Sequence, residues 1–188
     1  MKQLILRLVF ASVLLLASRL DATQFTPARI DALTAKAQLV LFGTVLSKRC
    51  QADEAGRIYT KVDLQVAEVW KGALVTNRFT VVHGGGVLGE RKVVVSGQAD
   101  YQVGEEVVVF LVVNQRGEGV SLGLAQGKFQ IRPDPATGEK RAHHPGNGLP
   151  PPTRALEKPK ARAVTLQSMP ANGLKLADLK KQVTQVQP

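Results

Sequence analysis

Apolar positions along the chain recur with two different periods, and the switch between them marks the elements. Ile30, Leu33 and Ala37 recur at helical spacing, with Arg29, Asp31 and Lys36 placed off that stripe. Thr26 in the N-cap position and Pro27 at the first helical position complete a predicted helix over 27–36. From residue 38 the pattern becomes that of strands. Residues 38–46 are nearly continuously apolar, and Gly43 inside them predicts a bulge or sharp bend. A polar turn at 51–56 leads into 59–70, where Val62, Leu64, Val66 and Val69 share one side and Lys61, Asp63 and Gln65 the other. That period of two belongs to a strand with one wet face. Its length predicts a curled strand shared between two parts of a barrel. Residues 79–83 form a third strand, closed by Gly84, Gly85 and Gly86, and 92–95 a partial one. The run from Val107 to Val113 is unbroken and apolar, so 105–113 is expected to be the most buried strand. Glycines 117 and 119 predict a hairpin turn before two short strands, 120–124 and 128–132, separated by 125–127.

The two ends read differently. Residues 1–22 carry Lys2 and Arg7, then an apolar run over 8–17 broken by Ser12, then Leu20 and Ala22 at a small-residue cleavage position. This is the order of a secretory signal. The run is roughly ten residues, against about 20 needed to span a bilayer, so removal by cleavage is expected and no stable membrane span after it, with an uncleaved N-terminal anchor as the alternative. Pro133, Pro135 and Gly138 close the strand region, and 139–173 reads as a Pro/Gly-rich linker containing His143 and His144. In 174–188, Leu174, Leu176, Leu179 and Val183 form an apolar stripe with Lys175, Lys180 and Lys181 on the wet side, a short amphipathic helix. The expected organisation is a signal at 1–22, one β-domain at 23–138, the linker, and that helix.

Short strands, glycine-rich turns and a helix before the first strand point to an all-β fold. Five or six strands over this length suit a small OB-like barrel with a short N-terminal helix and a disordered or partly helical basic tail. The residues also carry a resemblance. The order Ala37, Leu39, Val40, Gly43, Val45, then Tyr59, Thr60, Val62, Leu64, Val66, Glu68, Val69, Trp70, Lys71, Gly72, then Tyr101, Val103, Gly104, Glu105, Glu106, Val107 resembles small exported bacterial proteins of unassigned role. These in turn look like the netrin-like, OB-fold module of the tissue inhibitors of metalloproteinases. The resemblance implies the fold over residues 28–132 and a binding role. Inhibitors of that family carry several disulfides and an N-terminal cysteine that chelates the protease zinc. This chain has one cysteine, Cys50, which cannot reproduce that framework.

Charge narrows the partners. The chain is +10 overall, but residues 23–138 are only +2 and 139–188 are +6. The basic tail holds no Phe, Tyr or Trp, so the aromatic-interleaved surface of a nucleic-acid binder is lacking. One cysteine excludes an internal disulfide and a cysteine-based zinc site. Gly84, Gly85 and Gly86 lack the Lys-Ser/Thr and helix of a phosphate loop and are read as a flexible loop. His83 is read as a strand-end histidine, and the adjacent His143 and His144 as solvated linker. Glu105 and Glu106 fall on opposite sides of a strand and mark its exposed start. Trp70 is read as a core plug. No cofactor is implied. The expectation is a periplasmic or secreted, non-enzymatic module that binds an envelope or secreted protein, a protease among the candidates. Its contacts would come from loops around 84–91 and 125–127, through His83, Gly84, Gly85, Gly86 and Gln126. The rivals are an envelope hydrolase built on His83 and a tail-borne adaptor for anionic lipid or glycan.

Overall fold

The computed structural model describes residues 28–144 and 173–186. Residues 1–27, 145–172, 187 and 188 lie outside them, and with them the expected signal at 1–22 and the expected cap at Thr26 and Pro27. The fold is mostly β. Helix α1 (Ile30–Lys36) precedes two long strands, β1 (Leu39–Ala52) and β2 (Ile58–Lys71), and then β3 (Arg78–Gly84). A small hairpin follows, β4 (Gly86–Leu88) and β5 (Arg91–Val93). Strands β6 (Glu106–Val113) and β7 (Gly119–Ser121) lead through a 3-10 turn (Leu124–Gly127) into β8 (Lys128–Pro133). Strand β9 (Lys140–His143), the two-residue β10 (Leu174–Lys175) and α2 (Leu176–Gln185) complete it.

The main sheet runs β1-β2-β3-β7-β6-β8-β9-β10, and β1 also pairs with β6. The first five therefore form a ring: β1, β2, β3, β7, β6 and back to β1. All its pairings are antiparallel except β3 with β7, which meet in parallel at one position, Val81 opposite Gly119. Strand β1 bends to reach both neighbours. Its register against β2 shifts between Phe42 and Gly43, where the sequence predicts a bend. A Cβ on Gly43 would sit 2.3 Å from the Gln65 carbonyl oxygen, so the two backbones approach more closely there than any side chain allows.

Alternation along the shared strands feeds two cores. Leu41, Val45, Val62, Leu64, Val81, Val107, Val109 and Leu111 point into the ring. Val40, Phe42, Val108 and Phe110 point the other way, where Phe129, Ile131 and both helices cover them. This explains the apolar run of β6 from Val107 to Leu111: both faces are covered there, so no position needs to be polar. Helix α2 docks with Leu179 and Val183 fully buried. Each such burial is worth roughly 2 kcal/mol. Lys180 reaches Glu68 at 2.7 Å from its wet side.

Several expectations shift. Helix α1 starts at Ile30, and its N-cap Arg29 makes no capping side-chain bond. Residues 120–124 are not one strand: β7 ends at Ser121 and a 3-10 turn begins at Leu124. The sheet does not stop at Gly138, because Lys140–His143 pairs with β8 and then with Leu174 and Lys175. His144 is not solvated linker. It is 7% exposed, its Nε2 lies 3.2 Å from the Gln126 carbonyl oxygen, and its ring meets Phe129 edge-on at 5.3 Å. Glu105 is not exposed either. Its carboxylate is buried against the Lys128 ammonium, 2.7 Å away. Glu106, one position on, faces the opposite side and pairs with Lys140 at 2.7 Å. Val69 faces solvent at 40% exposure, whereas Trp70 is buried and stacks on Phe42, as a core plug does.

Candidate functional site

Two hairpin tips meet at one end of the ring. In the β1–β2 turn, Asp53 Oδ1 accepts the amides of Ala55 and Arg57 at 3.0 and 2.9 Å, and Oδ2 holds the Arg57 guanidinium at 2.7 Å. This Asx-type turn is built from one short acceptor side chain. In the β6–β7 turn, Asn114 Oδ1 does the same for the amides of Arg116 and Glu118, at 2.9 and 3.0 Å. Each turn delivers an arginine to the same surface. The Arg116 guanidinium stands 5.7 Å above the Tyr59 ring, a cation–π arrangement. Tyr59 lies opposite Gly84 in the β2–β3 register, so no side chain on β3 stands between β2 and the incoming arginine.

Between these tips and β3 lies a cleft of about 320 Å³, lined by Tyr59, Val82, His83, Gly84, Gln98, Arg116 and Val120 together with the base of the first turn. A second depression shares Asp53, Arg57, Tyr59 and Arg116 and extends the groove around the β1–β2 tip. Glu118 holds Arg116 from outside the lining of the groove. It receives Lys61 at 2.7 Å and Arg116 at 2.9 Å, with Asn114 Nδ2 at 3.1 Å. The Lys61 ammonium above all holds its carboxyl down at about 2, against an ordinary 4.5.

The sign of the resulting pH dependence follows from that depression. The stability contributed by the ionised carboxylate is full above about 4.5 and is lost as pH falls towards about 2. Thermal unfolding followed across this window is expected to show a falling midpoint. Glu118→Gln is expected to flatten that part of the curve, and an unchanged slope would count against the role given to Glu118.

His83 points its ring to the inner side, stacked on Tyr101 with centroids 6.0 Å apart. Its Nδ1 is 3.0 Å from the Gly84 carbonyl oxygen and donates to it, while Nε2 is buried with no hydrogen-bond partner among the described residues. Burial lowers its basicity, and the nearby Lys48 and Lys128 ammoniums act in the same direction against Asp100. No carboxylate hydrogen-bonds His83 among the described residues.

Of the residues expected from sequence, His83 and Gly84 line the cleft; Gly85 and Gly86 lie behind it. The three glycines are not a loose loop. Gly86 has φ +138°, and a Cβ there would lie 2.5 Å from both Cys50 Sγ and Thr60 Oγ1. Thr60 Oγ1 donates to the Gly85 carbonyl at 2.7 Å. The segment is thus packed onto the β1–β2 hairpin because it lacks side chains, and bulky replacements at Gly86 would disturb the packing before any ligand is met. Cys50 is partly buried under it as a free thiol. Gln126 is elsewhere: it is buried, its Oε1 accepts the Ala28 amide, and it does not line the cleft. Arg57, Tyr59 and Arg116 were not singled out by spacing. The only local signal was an arginine beside each acid- or amide-headed turn.

Among the described residues no group of three or more His, Cys, Asp or Glu side chains is placed to hold a metal ion, and no helix is long and apolar enough to cross a membrane. No family model matches the chain, and no curated protein matches it significantly.

Proposed function

We propose that this chain is an exported, non-enzymatic binding module on an OB-like barrel, and that the groove of Arg57, Tyr59 and Arg116 is where it takes its partner. The barrel reading is supported by the circular strand order and the single parallel contact of β3 with β7. In OB barrels the face of the second and third strands, with the loops joining strands one to two and four to five, carries the ligand. Those are the places occupied here by Tyr59, Val82 and Gly84, by the Asp53 turn and by the Arg116 turn. The likeness to netrin-like modules and export through residues 1–22 belong to the same proposal.

The observation that carries the reading is the composition of that groove. Arginine and tyrosine are the residues that dominate protein–protein hot spots, and here they are pre-ordered by turn hydrogen bonds rather than left to find their places. A protein partner from the envelope or secreted fraction, a protease among the candidates, fits this better than a small substrate. His83 donates to a backbone carbonyl and is not poised by an acid, which favours binding over hydrolysis.

The test uses mature protein as bait in its native secreted fraction, with crosslinking and mass spectrometry. Arg57→Ala with Arg116→Ala is expected to reduce partner capture by about tenfold or more. Folding should persist, because Glu118 keeps Lys61. Capture equal to wild type by a folded double variant would refute the groove as the contact site.

A further inference from the structure

The hairpin β4–β5 stands beside this groove and exposes an unusual amount of aliphatic surface. Val87 is 59% exposed and Val94 76%, and Leu88, Val93 and Val95 are each more than a third exposed. Contiguous exposed apolar side chains of this kind mark contact surfaces. Strand β5 is paired only with β4, so its outer edge carries no strand among the described residues. A free edge offers a row of backbone donors and acceptors to any extended segment.

Charge decides which segment fits. Arg91 and Lys92 occupy successive positions of β5, both exposed, and so present a cation on each face of the strand. Pairing with a second copy would set two Arg91–Lys92 pairs about 5 Å apart, which like-charge repulsion opposes. The chain's own segments outside the described residues are also basic. Residues 145–172 contain four Lys/Arg against one Glu, and 1–27 contain three against one Asp. A lipid surface would meet the charge but leave the edge's hydrogen-bonding row unused, and residues 84–99 contain no aromatic to sit at a membrane interface.

We infer that the outer edge of β5 receives an extended strand from a different protein, with two neighbouring acidic residues between aliphatic ones, added in the manner of β-augmentation. This rests on the binding reading above and adds to it the form and charge of the bound segment. Its two neighbouring carboxylates, one on each face, meet Arg91 and Lys92, and its aliphatic side chains lie beside Val93 and Val94.

The experiment measures amide exchange of the mature protein with two blocked synthetic peptides. One is Ser-Val-Val-Asp-Glu-Val-Ser, and the other has lysine at both acidic positions. The acidic peptide is expected to slow exchange within 91–95 by about tenfold near saturation and to leave β6 unchanged. The lysine peptide is expected to have no effect. Arg91→Glu with Lys92→Glu, both exposed and free of ion pairs among the described residues, is expected to reverse that preference. Equal protection by both peptides, or none by the acidic one, would overturn the proposal. So would protection that rises with protein concentration alone, which would make a second copy the occupant. Binding to phosphatidylglycerol vesicles in place of the peptide would overturn it as well. If the peptide fails while the groove variant still loses its partner, the strand proposal falls and the binding module stands. If both fail, both readings fall.

Discussion

Replacing Lys128 with Met is expected to destabilise the protein by about 3–5 kcal/mol, most of a small domain's margin. The ammonium lies beneath the ring, its side chain 8% exposed, and donates to Glu105 Oε1 and Oε2 at 2.7 and 2.8 Å. It also donates to the Asp100 carbonyl and lies 4.6 Å from the centre of the Tyr101 ring. Burial makes it less basic than usual, against the pull of Glu105. Removing it leaves a carboxylate with 5% exposure and no cation. Only the Gln102 amide, 2.9 Å from Oε2, would still meet it, and a buried charge without a counter-charge is costlier than no charge at all. The double variant Lys128→Met with Glu105→Leu is therefore expected to regain most of the loss. Urea midpoints of wild type, both single variants and the double variant close the cycle. A single-variant loss below about 1 kcal/mol would mean that water reaches the pair, and the argument would fail.

Gly43→Ala should cost about 3 kcal/mol or prevent folding, although it adds one methyl group. The methyl would be 2.3 Å from the Gln65 carbonyl oxygen and 3.1 Å from the Val66 Cα. Both obstacles are backbone atoms of β2, so no rotamer change relieves the clash. Gly43 is also paired to Val107 on the other side, in the stretch of β1 that pairs with β2 and β6 at once. Movement of β2 away from it would open the ring. Equilibrium unfolding measures the loss, and exchange protection of β1 and β6 locates it. A variant with wild-type stability would show that the two strands do not approach as described.

The candidate site was less legible than the fold, for a definite reason. Arg57 and Arg116 are 59 positions apart, and each sits in an ordinary polar turn. Only the pairing of β2 with β3, and of β3 with β7, brings Tyr59 and Arg116 together. Spacing along a chain carries no trace of such a meeting. His83 and Gly84 stand out in the sequence because a histidine beside three glycines is conspicuous locally. Gly85 and Gly86 look like a loose loop for the same local reason, because the side chains that fill the volume a Cβ would need at Gly86, Cys50 and Thr60, come from distant strands. Gln126 drew notice as part of a turn, and its role in holding Ala28 depends on a contact between distant segments.

What residues 30–133 determined unaided is the local conformation. Alternation in β2, the glycine in β1 and the apolar run of β6 state which stretches are extended and which bend, because a side chain's face follows from backbone geometry alone. The amphipathic stripe of α2 likewise needs no partner to be read. Tertiary structure alone decided what covers each face. Val107 and Val108 are equivalent as residues, yet one fills the ring and the other packs among the helix-covered residues. The same holds for charge: Glu105 is buried with Lys128 and Glu106 pairs at the surface with Lys140 because register, set across strands, puts one carboxylate inside and its neighbour out.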